Sequence, residues 1–122
     1  MLRKSSSSAK IYYPKYDLTE VVGELRKTMQ MLSKELGIEK VILFGSYAKN
    51  RYTVASDINI IVVFDETVCD EDKVYKAIRK RVKLSRLEPH LVTKNEYSRA
   101  RESRWIKTIE KEGITIVDSN TL

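Results

Sequence analysis

The stretch that most constrains this chain runs from residue 41 to 64, where two apolar runs meet at a polar corner. The first, Val41 to Phe44, ends in Gly45-Ser46; about ten residues follow, and Ser56-Asp57-Ile58-Asn59 opens the second, which continues to Phe64. A wholly apolar run of this kind implies a strand buried on both faces. With so short a connection the two strands most easily pair antiparallel, which brings Gly45 and Ser46 to the same end as Asp57 and Asn59. Strand alternation puts Asp57 and Asn59 on one face and Ile58 and Ile60 on the other, so one face is chemical and the other is core.

Those residue types suit phosphate. Gly45 has no side chain to keep a phosphate from its backbone N–H, and the Ser46 hydroxyl can donate to an oxygen of the same group. A triphosphate is the natural guest, with Asp57 as a metal-type carboxylate. The plainer alternative is that Gly45 serves a turn while Ser46 and Asp57 are caps.

The remaining chain supplies a frame for this corner. Asp17 and Glu20 make a capping box, Leu18, Val21, Val22, Leu25, Met29, Leu32 and Leu36 recur at helical spacing, and Gly37 supplies a left-handed stop. Glu24, Arg26, Lys27 and Lys34 are expected outward, and Met29 and Met31 are read as core filler. Ser46 to about Arg51 is expected to form a short helical turn. Asp70, Glu71 and Asp72 load the start of a second helix, whose buried stripe is Val74, Ala77, Ile78 and Val82. Leu87 to Thr93 reads as a third strand. Thr93 and Glu96 form a second capping box before a helix over 94–112, in one piece or two, and Ile114 to Val117 reads as an edge strand. Residues 1–16 are expected to be a flexible tail, and 17–122 a single domain. The fold class is α/β (α+β), a small mixed, partly antiparallel sheet of about four strands with helices packed on it.

Composition narrows the setting. At 122 residues the chain has one domain's worth of core. No apolar run reaches the ~20 residues of a membrane span, and the N-terminal segment lacks a secretory hydrophobic region, so a cytoplasmic protein is expected. One cysteine, Cys69, and one histidine, His90, leave neither an internal disulfide nor a Cys/His zinc cage. High Lys, Arg and Glu content with a single Gln leans toward a thermophilic source. A net charge of +6 suits a nucleic acid, a nucleotide or an acidic protein surface, but equally suits well-solvated helix faces.

The Gly45-Ser46 pair, the ten-residue gap, Ser56-Asp57-Ile58-Asn59 and the apolar run after it resemble the signature of the DNA polymerase β-like nucleotidyltransferase superfamily. The short length points to its minimal nucleotidyltransferase (MNT) branch. The resemblance implies the polymerase β palm-like fold, with Gly45, Ser46 and Asp57 holding a nucleoside triphosphate, ATP first among them. In that family two Asp of a D-x-D motif hold two Mg²⁺ ions, and a third carboxylate comes from a later strand. Here the second position is Asn59 and the third falls on His90, with Asn50 where a second glycine usually stands. Asp57, Asn59 and His90 are thus the implied catalytic positions, and Asp57 and Asn59 the implied ligands of a weakly held Mg²⁺ or Mn²⁺. Glu88 lies two residues before His90 on the same strand face, and only a register shift at Pro89 would bring it in as the third carboxylate.

Mg²⁺ prefers charged oxygen, so this set implies transfer of a nucleotidyl (AMP) group that is reduced or lost. His90 is also open to a softer metal, or to a plain hydrogen-bonded role in its strand. Chains of the MNT type commonly pair with a helical HEPN-domain protein as antitoxin and toxin, which makes such a partner an expectation of the resemblance. The alternative is a non-enzymatic module on the same fold that neutralises a toxin by contact. A basic RNA-binding module ranks last, because no stacking motif of an RNA-binding sheet is present.

Overall fold

The computed structural model describes residues 15–119. Helix α1 spans Leu18–Leu36, and both halves of the expected capping box form: Glu20 N–H donates to Asp17 Oδ1 (2.8 Å) and Asp17 N–H to Glu20 Oε1 (2.9 Å). Gly37 ends the helix in the left-handed region at φ 67°. Val21, Leu25, Met29, Leu32 and Leu36 are buried along one stripe. Met31 is 65% exposed, so it is not core filler; it sits two residues from Met29 and therefore on the opposite side of the helix.

Strands β1 (Ile38–Phe44), β2 (Ile58–Phe64), β3 (Leu87–Thr93) and β4 (Ile114–Asp118) form one sheet in the order β3-β2-β1-β4. The expected antiparallel pairing of β1 with β2 is present, and β4 lies antiparallel on the other side of β1. Strand β3 runs parallel to β2, which the intervening helix α2 (Glu71–Arg81) permits by carrying the chain back to the starting end. The sheet is therefore mixed, as expected. Pro89 is tolerated because β3 is an edge strand, where a missing N–H breaks no ladder bond on the open side.

The central strand β2 explains the near-continuous apolar run. Ile58, Ile60, Val62 and Phe64 join α1 and α2 in the larger core cluster, while Ile61 and Val63 join Ile42, Tyr97, Ile106 and Ile109 in a second cluster on the opposite face. That second cluster lies under helices α3 (Lys94–Ala100) and α4 (Arg104–Glu112), the two pieces expected within 94–112. The face expected to be purely chemical is thus apolar along most of its length and polar only at the end where Asn59 stands.

Two outward residues have inward roles. Glu24, expected in solvent, accepts from Thr28 Oγ1 (3.0 Å) and from Lys83 N–H (2.8 Å), tying α1 to the end of α2. Burial pushes its carboxyl up, but the hydrogen bonds from Lys83 and Thr28 and the nearby Lys27 outweigh it and hold Glu24 below the usual range. The expected tail, 1–16, lies outside the described residues except for Lys15 and Tyr16. Tyr16 is half-buried, and its carbonyl accepts from Tyr47 Oη (3.0 Å).

Candidate functional site: the Gly45–Asn59 corner

At the end of β1 the chain enters a turn at Gly45, whose φ of 84° favours glycine. Space gives a second reason: a Cβ there would lie 3.1 Å from Asn59 Nδ2. The segment expected as a short helical turn is a run of overlapping turns that includes one of helical span, with Lys49 N–H donating to Gly45 O (3.2 Å), Asn50 N–H to Tyr47 O (3.1 Å) and Arg51 N–H to Ser46 O (2.9 Å). Asn50 has φ 57°, which accounts for asparagine where the family usually has glycine, since Asn is among the few side chains that tolerate this region. Among the described residues no protein acceptor meets the N–H groups of Ser46, Tyr47 and Ala48, and the Ser46 hydroxyl makes no protein hydrogen bond. Donors without a protein partner thus gather at the turn, those of Ser46 and Ala48 on half-buried residues and that of Tyr47 on a buried one, a grouping that suits an anion.

The turn is pinned from below by residues the sequence reading did not single out. Tyr47 is buried and stacks on Tyr52 with ring centroids 4.2 Å apart and planes within 5°. Tyr52 Oη accepts from Leu18 N–H (3.1 Å), so the two rings fasten the turn to the start of α1. Their five-residue spacing matches neither a helix nor a strand face, so no periodicity could have paired them.

Asn59 is opposite Phe44 in the β1–β2 ladder, which places its side chain at the turn as expected. Its Oδ1 lies 3.3 Å from His90 Nε2 across the β2–β3 boundary, a pairing that requires the proton on Nε2. The β2–β3 register is unbroken from Ile58↔Leu87 to Phe64↔Thr93, so Pro89 causes no shift. Glu88 is exposed and in register with Asn59, while His90 is the residue that touches it. Gly45, Asn59 and His90 thus form one contiguous row.

Asp57 is drawn elsewhere. Its Oδ1 pairs with Arg86 Nη2 (3.2 Å), and both side chains are about half exposed. The same guanidinium donates to Ala55 O (2.7 Å) and Ser56 O (3.3 Å), and Ile58 N–H returns a bond to Arg86 O (2.8 Å). Arg86 holds a left-handed φ of 63°, which a non-glycine residue adopts only where its surroundings fix it. Its partners lie about thirty residues away, beyond the reach of any local pattern.

The donor set decides how well a metal fits. Two divalent cations need several anionic oxygens. Among the described residues no three His, Cys, Asp or Glu side chains are grouped to hold a metal. The row itself holds no carboxylate: Asp57 lies outside it and faces a guanidinium, Asn59 is neutral, and His90 presents an N–H. These residues do not fit a two-metal centre.

Beside the row stands an aromatic wall that sequence reading also left unassigned. Phe44 lies 5.4 Å from the His90 ring and 6.0 Å from Trp105, the latter edge-on at 87°. Lys49 and Glu112 form an ion pair (3.1 Å) across the hollow between the Gly45 turn and α4.

An α+β palm with a Gly-Ser turn facing a D-x-N strand end defines a nucleotidyltransferase architecture. Residues 22–116 match the family described as "Nucleotidyltransferase domain", and the chain belongs to that family. Three proteins of Methanocaldococcus jannaschii named "Putative protein adenylyltransferase" are similar to it. One is 40% identical over 50 residues, covering 41% of this chain and 51% of its own length. A second is 26% identical over 103 residues (82% and 99%), and a third 36% identical over 78 (63% and 78%). The chain thus spans about half the length of the first and nearly all of the second. A crystal structure titled a putative nucleotidyltransferase from Sulfolobus solfataricus shares the fold, with a TM-score of 0.51, 19% identity and 80% of each chain covered. Among the described residues no helix is long and apolar enough to cross a membrane.

Proposed function

We propose that this chain is an MNT-type protein that binds a nucleoside triphosphate, ATP first, at the Gly45-Ser46 turn, and in which nucleotidyl transfer is reduced or lost. The observation that carries the reading is the fate of the three family positions. Asp57 is neutralised by Arg86, while Asn59 and His90 hydrogen-bond each other. The donor side of the corner remains suited to phosphate: N–H groups without a protein acceptor at Ser46 and Ala48, and the Ser46 hydroxyl, with Lys49 nearby in its pair with Glu112. In this chemistry Gly45 admits the phosphate, Ser46 donates to it, and Asn59 and His90 line the floor without supplying negative charge. Mg²⁺ or Mn²⁺ would find only Asp57, in competition with Arg86.

A helical protein of the HEPN type is the partner this reading favours, with a neutralising role that requires contact rather than AMP transfer. The test is transfer of radiolabelled AMP from ATP to that partner. The parent should label it at least tenfold more slowly than an Asn59→Asp, His90→Asp variant, in which the carboxylates are restored. A parent as fast as the variant would refute the loss of transfer.

A further inference from the structure

We propose that the exposed face of Trp105 is the platform on which the base of the bound nucleotide stacks, next to the turn that takes its phosphates. The inference rests on the phosphate-binding reading above and adds the residue that tells a nucleotide from a bare polyphosphate.

Trp105 is the only tryptophan in the chain and is 49% exposed. It is nevertheless not a loose surface ring. Ser103 caps α4, accepting from Ile106 N–H (3.2 Å), and the buried Ile106 and Ile109 lock the helix onto the sheet. That helical phase turns Trp105, one residue before Ile106, toward the strand ends. There its ring meets Phe44 of β1 (6.0 Å, 87°) and His90 of β3 (6.4 Å, 71°). Trp105 meets both rings in edge geometry, and Phe44 and His90 tilt at 54° to each other, so three rings from three elements pack together while about half of Trp105 stays exposed. A rigid, half-exposed ring is prepared for stacking, because little side-chain freedom remains to be lost on binding.

Position selects the occupant. Gly45 belongs both to the phosphate turn and to the hollow that Trp105, Phe44 and Lys49 line, so the two subsites are continuous. Apolar rings line one side of the hollow and suit a flat base, while on the other side Lys49 is held by Glu112 (3.1 Å), an ion pair that an incoming phosphate would open. Stacking reads a π-face common to all bases, so Trp105 supplies affinity for a base without choosing among them.

The experiment uses the full chain and two probes, ATP and inorganic tripolyphosphate, with calorimetry for affinity and Trp105 emission for stacking. In the parent, ATP should bind about tenfold more tightly than tripolyphosphate and quench the emission, while tripolyphosphate leaves it nearly unchanged. Trp105→Ala should lose that tenfold preference and keep its tripolyphosphate affinity; Trp105→Phe should retain most of it, which guards against a folding artefact in the alanine variant. Equal affinity of the parent for the two probes, or an alanine variant that binds ATP like the parent, overturns the stacking role while leaving the phosphate site standing. Binding of neither probe removes both. Quenching by single-stranded RNA but not by ATP also overturns the proposal and favours an RNA ligand.

Discussion

The two faces of the sheet are built to different standards. Toward α1 and α2, Ile58, Ile60, Val62 and Phe64 meet Leu25, Met29 and Leu32 in a continuous apolar layer running the full length of β2. Toward α3 and α4 the layer covers Ile61 and Val63 but stops at Asn59, where polar groups and exposed rings take over. One face carries the stability and the other carries the chemistry at its open end. Two of the three positions for which the resemblance implies carboxylates, Asn59 and His90, lie outside both apolar clusters, so their identity is not set by the core.

The contrast can be broken most forcefully from beneath. Ile60 is fully buried under the site-bearing strand, and Ile60→Ala should cost about 2–5 kcal/mol by urea unfolding, the range for emptying a packed core position. A cost below about 1 kcal/mol would mean that this face is not the stable one.

A smaller effect tests the seam between α1 and α2. Removing the Glu24 charge with Glu24→Gln should cost about 1 kcal/mol at neutral pH, the scale of a hydrogen bond to a partly exposed carboxylate. Because the folded state holds this carboxyl below its ordinary range, its contribution is complete above that range and fades as pH falls. The parent and variant stabilities should therefore differ steadily at neutral pH and converge only as the pH falls below the ordinary carboxylate range. A gap that widens in acid would contradict the assignment.

The smallest stability effect belongs to the open end. Arg86→Gly removes a half-exposed ion pair worth about 0–1 kcal/mol and two exposed hydrogen bonds to Ala55 O and Ser56 O, partly offset by relief of a left-handed backbone, so stability should fall by about 1 kcal/mol or less. Mn²⁺ affinity, followed by the loss of the free-ion EPR signal, should rise as Asp57 is freed. Unchanged affinity would show that Arg86 does not compete with a cation.

How far the sequence disclosed all this depended on the range of each interaction. The capping box at Asp17 and Glu20, the stop at Gly37 and the strand alternation around Asn59 are local, and each appears as expected. The convergence of Gly45 with Asn59 was legible too, because a short connection leaves two apolar strands one simple way to pair. Arg86 on Asp57, Tyr47 on Tyr52, and Phe44, His90 and Trp105 as one cluster were not legible, since each depends on tertiary placement or on a spacing without periodicity. Met31 is a different case: its helical phase, two residues from buried Met29, is local and points it to water, but its apolar character suggested core.

The most direct test of the central claim, phosphate capture at the Gly45 turn without a two-metal set, is calorimetric titration of ATP into the parent and into Asn59→Asp, each in EDTA and in Mg²⁺. The parent should bind with the same affinity, within about twofold, in both buffers, and only the variant should gain affinity from Mg²⁺. A parent that binds ATP tenfold or more tightly with Mg²⁺ than without it, or that binds no ATP in either buffer, would contradict the account.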